Sequence, residues 1–175
     1  AVNNFSKRLQ GLKSFDKCNF INVGKTRGVI DTIKKSIDFI NEDYINILPI
    51  TTVPDTKFLD VKSIYFGDNR ISKENWSAIS YLNKTTIQYL FKKNTIDFKK
   101  KCYPFTGRIS SEKNIIKASL KEIKNNQKHD LLYLAKILIE KYEHSITHEK
   151  WYDSGHSTTY FETKISSFSS RFFNY

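Results

Sequence analysis

The sequence predicts an α/β fold: one domain over residues 1–175, a three-layer sandwich around a mixed, mostly parallel sheet. Three observations predict it. A helix-period run over 26–41 stands between two short apolar segments, 19–23 and 44–50, in the order strand, helix, strand. The middle of the chain holds several strand-like runs. Two further amphipathic stretches follow, over 111–125 and 130–144.

Each element has its own signal. Phe5, Leu9 and Leu12 share a face in a helix over 3–14. The strand over 19–23 ends at Gly24. In the helix over 26–41, Val29, Ile30, Ile33, Ile37 and Ile40 line one side, with Lys34, Lys35 and Asp38 opposite, and Thr26 as N-cap. The apolar run 44–50 reads as a strand buried on both faces, completing a βαβ unit with a right-handed crossover. A strand over 61–66 closes in the turn residues Gly67-Asp-Asn. A helical turn over 74–79 and strands over 85–90 and 103–109 come next. The helix over 111–125 takes Ser110 or Ser111 as its cap and buries Ile115, Ile116, Leu120 and Ile123. The helix over 130–144 takes Asp130 as cap and buries Leu131, Leu134, Ile137 and Leu138. A short strand over 149–152 runs into a turn at Gly155, and a closing helix spans 158–171.

Composition narrows the function. Hydrophobic residues make up 39% of the chain, enough for a packed core. No apolar run approaches the roughly 18 residues a membrane-spanning helix needs, and no signal peptide opens the chain. There is no methionine, so the chain is read as a fragment or a processed product. The net charge of +11 points to acidic partners: nucleic acid, nucleotides, phosphorylated sugars or anionic lipid. Lysine is scattered rather than clustered, and Lys99-Lys100-Lys101 reads as a solvated turn. Cys18 and Cys102 form neither a disulfide framework nor a zinc spacing; both are expected reduced and partly buried, as in a cytoplasmic protein, with a single bridge between them as the alternative.

Ligands of open α/β sheets bind beyond the carboxyl ends of the strands. Two segments end strands in a polar way: Thr51-Thr-Val-Pro-Asp55 and Tyr152-Asp-Ser-Gly-His156. Asp55 and Asp153 are then carboxylates for a divalent metal of phosphoryl chemistry. His156 is placed to donate to a phosphate or to orient a carboxylate; a turn histidine bonded to backbone is the plainer alternative. Trp151 and Tyr152 read as packing, and His129, His144 and His148 as surface residues. Lys25, Arg27 and Gly28 open the first helix, where a basic N-terminus makes an anion site. Gly24-Lys-Thr26 ends like a phosphate loop but lacks the upstream glycine. A rival reading joins Asp153 to Glu162-Thr-Lys164 as the metal site of a nuclease or toxin acting on DNA or RNA. It requires a strand where 158–171 reads as helix.

With these residues in view, the chain resembles a bacterial sugar-1-phosphate nucleotidyltransferase domain of capsule and surface-polysaccharide biosynthesis. Three stretches carry the likeness: Val23-Gly-Lys-Thr-Arg-Gly-Val-Ile-Asp-Thr-Ile33, Ile45-Asn-Ile-Leu-Pro-Ile-Thr-Thr-Val-Pro54, and Trp151-Tyr-Asp-Ser-Gly-His156 with Tyr160-Phe-Glu-Thr-Lys164 and Ser170-Arg-Phe-Phe-Asn174. The resemblance implies a nucleotidyltransferase or Rossmann-like fold and Mg2+ as cofactor. It gives Asp153, in the Trp-x-Asp-x-Gly turn, the role of magnesium ligand. Joined to the strand-end and helix-start readings, it leaves Asp153 and Lys25 as the catalytic candidates, Arg27, Gly28, Thr51, Thr52 and His156 as the ligand-binding candidates, and Asp153 with Asp55, displaced from the family's place, as the metal pair. The implied partners are a nucleoside triphosphate and a phosphorylated sugar or small molecule, with a kinase-like domain downstream of Tyr175. The chain departs from the family twice. The N-terminal glycine-rich loop is not found, and the Gly-Asp that ends the family's central strand is replaced by Ile50-Thr-Thr-Val-Pro-Asp55. A truncated or inactive domain is therefore within the expectation.

Overall fold

The computed structural model describes residues 21–49, 52–54, 61–67, 76–91, 102–127 and 130–153; for 53, 54, 152 and 153 it describes the backbone alone. The helix over 3–14, the strand residues 19 and 20, the turn after Gly67, the lysine run and the closing helix over 158–171 lie outside them. Among the described residues no helix is long and apolar enough to cross a membrane.

Helix α1 spans Val29–Ser36 and runs on as a 3-10 turn, Ile37–Phe39. Its cap is Gly28 rather than Thr26. The reason lies in Asp31, whose carboxylate accepts from the Arg27 amide at 3.0 Å and so fixes the helix entrance after Thr26, at Gly28. Thr26 Oγ1 instead accepts from Thr32 Oγ1. Ile30 and Ile37 are buried as the spacing predicts, while Val29 is exposed.

Strands β1 (Tyr44–Ile47), β2 (Thr52–Pro54), β3 (Ser63–Gly67), β4 (Ala78–Tyr81) and β5 (Ile87–Leu90) precede the long β6 (Cys102–Glu112). Helices α2 (Lys113–Glu122) and α3 (Leu132–Tyr142) follow, then β7 (Ser145–Glu149) and β8 (Trp151–Asp153). The main sheet has the order β5-β4-β6-β3-β7, with β1 also on β6. β6 is its organising strand: its N-terminal residues pair with β4, its C-terminal residues with β1 and β3.

The α/β class and the mixed sheet hold. The proportion of directions is the reverse of the expected one: β3 and β7 run parallel, and the other described pairs are antiparallel. The βαβ unit does not form. Ile21–Val23 is not strand, and β1 pairs antiparallel with β6, its Tyr44 exposed. A short apolar run states burial but not the direction of its partner. The helical turn expected over 74–79 is also absent from 76–79, where Ala78 begins β4. Ser110 and Ser111 belong to β6, and Glu112 caps α2.

Alternation sorts the sheet into two faces. Ile64 and Phe66 of β3, with Phe105 and Ile109 of β6, join one core cluster with Ile30, Ile116, Leu120, Leu134 and Leu138 of the three helices. The N-cap of α3 is Leu131 rather than Asp130; Asp130, one residue earlier, still braces the helix start, its Oδ1 accepting from the Leu132 amide at 2.9 Å and its other oxygen from Ser77. The opposite face of β3 shows Tyr65, and there the sheet is polar.

Candidate functional site

The two strand ends singled out from the sequence meet. β2 and β8 form an antiparallel ribbon in which Thr52 faces Asp153, Val53 faces Tyr152 and Pro54 faces Trp151. Trp151 is 2% exposed, in keeping with its reading as packing, and meets Trp76 edge-on at 4.9 Å between ring centroids. Its indole lies on Gly67, the last residue of β3, so closely that a Cβ there would fall inside the ring. The start of β8 is thereby seated against the end of β3.

Gly67 is followed in sequence by Asp68. The segment 45–54, taken as the central strand, is two separate strands, β1 and β2, and neither is interior. β3 is interior, buried along its whole length between β6 and β7. Gly67, where the sequence reading saw a turn, ends that interior strand, and Asp68 itself lies outside the described residues.

A buried polar network underlies the ribbon. Arg108 of β6 pairs with Glu149 of β7, with side chains 0% and 1% exposed. The Arg108 guanidinium lies 4.3 Å from the centre of the Tyr65 ring. Thr106 Oγ1 donates to the Tyr65 carbonyl at 3.0 Å. Thr52 is buried and its hydroxyl donates to the Thr106 carbonyl at 2.8 Å, so its donor serves the fold. The sequence reading missed Arg108 and Glu149; the signal was an arginine within a predicted strand.

Lys25 and Arg27 are exposed at the entrance of α1. Lys35 Nζ donates to the Lys25 carbonyl at 2.6 Å, and Asp31 already brings a carboxylate to this helix end. No described hydrogen bond or ion pair joins Lys25, Arg27 or Gly28 to the ribbon. Thr51, Asp55, His156, Glu162 and Lys164 lie outside the described residues. Among the described residues no three His, Cys, Asp or Glu side chains gather to hold a metal.

The remaining polar candidates have structural partners. His144, expected on the surface, is 4% exposed. Its Nδ1 donates to the Leu138 and Tyr142 carbonyls at 3.1 and 3.2 Å, and Nε2 meets Ser111 Oγ at 2.8 Å. Burial holds its pKa below the ordinary histidine value, against the opposing pull of those carbonyls. His148 is exposed as expected, and its Nε2 lies 3.1 Å from the Tyr81 hydroxyl. Cys102 is buried, as expected.

No protein-family model matches this chain, and no curated protein does. Solved structures share its fold. A protein described as a glucose-1-phosphate thymidylyltransferase from Bacillus anthracis, in complex with sucrose, superposes at a TM-score of 0.67 and 12% identity over 93% of this chain and 70% of its own. A UDP-glucose pyrophosphorylase complexed with UDP-glucose superposes at 0.63 and 13% identity, over 97% and 74% of the two chains. At such identity the likeness is one of architecture: this chain is folded as those nucleotidyltransferases are.

Proposed function

We propose that the chain is a nucleotidyltransferase domain, moving a nucleotidyl group from a nucleoside triphosphate to a sugar phosphate or small-molecule phosphate in surface-polysaccharide biosynthesis in the cytoplasm. One observation supports the reading: the seating of Trp151 on Gly67, which brings the end of β3, one residue before Asp68, beside the start of β8, two residues before Asp153. Two aspartates are hard oxygen donors of the kind magnesium takes alongside substrate phosphates. Asp68 replaces Asp55 as the preferred partner of Asp153, because Asp68 follows the interior strand. Bound there, Mg2+ would supply Lewis-acid neutralisation of charge on the reacting phosphates.

The chain's own groups would then align and hold. An oxygen of the acceptor phosphate forms a bond to the α-phosphorus, the bond from that phosphorus to the β-phosphate oxygen breaks, and pyrophosphate leaves with the electron pair. The acceptor is already anionic, so no base is required. Lys25, Arg27 and His156 are assigned to the phosphates through their side chains, since Asp31 takes the helix entrance.

The test is pyrophosphate release with each nucleoside triphosphate, a panel of sugar 1-phosphates and Mg2+. One triphosphate is expected to react, with kcat lowered about 10²–10³-fold in Asp153→Asn and in Asp68→Asn, the scale of losing one charge-stabilising group. No release with any pair, together with plasmid nicking that Lys164→Ala removes, would overturn the proposal in favour of the nuclease.

A further inference from the structure

We infer that the Thr106-Gly107-Arg108 bulge of β6 is the positioning device for the proposed metal site, holding both strands of the ribbon that carries Asp153; this rests on the role given to Asp153 above. Between the pairs Ile64–Ile109 and Phe66–Phe105, two steps along β3 match four along β6, so β6 carries the excess. Gly107 makes the bulge possible with φ 80°, a conformation side chains rarely adopt.

Each residue of the bulge serves a different part of the ribbon. The Thr106 carbonyl accepts the Thr52 hydroxyl of β2. Gly107 leaves room for the Pro49 ring, and a Cβ there would run into Pro49 Cγ. The Pro49 carbonyl in turn accepts from the Thr52 amide at 3.0 Å. Arg108 reaches the other strand through Glu149, two residues before Trp151. Packing alone would not call for this pair: apolar residues of similar volume fill a core at least as well, whereas an ion pair fixes register. Arg108 and Glu149 are therefore positioning residues.

Mn2+ binding to the full chain, followed by electron paramagnetic resonance, tests this without any turnover, beside hydrogen exchange at 52–54 and 151–153. Wild type is expected to bind, and Asp153→Asn to lose binding. Arg108→Met and Glu149→Gln are expected to weaken binding about 10–100-fold, the usual cost of removing an outer-shell support. They should also speed exchange in the ribbon more than in β3 and β4, whose protection falls only with global stability. Arg108→Lys should recover part of both. If Arg108→Met does not fold, Glu149→Gln, which keeps the shape, gives the same readings. Wild-type Mn2+ affinity in both variants, with Asp153→Asn inactive in binding, would overturn the inference alone. Undiminished binding in Asp153→Asn would overturn both it and the reading beneath it.

Discussion

Arg108 and Glu149 show what a single residue decides here. Two opposite charges with almost no exposure are stable only as a pair. Removing one partner leaves the other charge uncompensated, at a cost of about 3–5 kcal/mol. Glu149→Ala should therefore lower stability on that scale in urea unfolding, with Arg108→Met, Glu149→Met together costing much less. His144 makes a pH prediction. Its folded pKa is depressed, so the unfolded chain takes up the proton first. Its contribution is complete above the ordinary histidine value and is lost as pH falls from there through the lower folded pKa. Lys62 and Glu112 also face it, and their charges oppose each other in effect. Urea midpoints should fall from pH 7 to pH 5 in wild type and fall less in His144→Gln; equal slopes would refute the assignment. The residue patterns that were legible were the apolar ones. Ile30, Ile116 and Leu134 are buried where helical spacing put them. His144 was misread because a lone histidine carries no periodicity, and its ring is held by the Leu138 and Tyr142 carbonyls where α3 ends.

Among the described elements, α1, α2 and α3 were read well, the helical turn over 74–79 and the strand partners poorly. A 3.6-residue period announces both a helix and its buried face, as in α2 and α3. A strand announces only that it is buried; whether β1 lies beside a parallel or an antiparallel neighbour is settled by chain far away, at Ser111 and Glu112. The Gly67-Asp68 strand end was hidden for a related reason. Gly, Asp and Asn are turn residues wherever they occur, and nothing local separates a hairpin turn from a strand end aimed at a ligand. Gly107 was the readable exception, since an isolated glycine inside a strand pattern signals a bulge. Asp130 gives the test at this scale. It accepts from the Leu132 amide at the start of α3 and from Ser77 just ahead of β4. Asp130→Ala should cost about 1 kcal/mol for the Leu132 bond alone, and more if the Ser77 bond counts; Asp130→Asn should cost less. Equal midpoints for all three proteins would show that α3 needs no such brace.

The whole molecule is held together from β6. Its burial is nearly continuous, and it adjoins β1, β3 and β4. Truncating Ile109 at its centre to alanine should cost about 2–5 kcal/mol, since the helices and sheet around it cannot close the gap fully. Calorimetry should show one cooperative transition shifted down rather than a separate loss of one part. The centrality of β6 also sets a timetable. During synthesis β1 and β3 leave the ribosome well before Cys102, the first residue of the strand they need, and β3 waits longer still for Ser145, its partner at Ser63. At roughly 5–20 residues per second those apolar strands stand unpaired for seconds. A nascent chain halted before residue 102 would expose Ile45, Ile64 and Phe66 with no described edge to join, and would be a natural client for a chaperone.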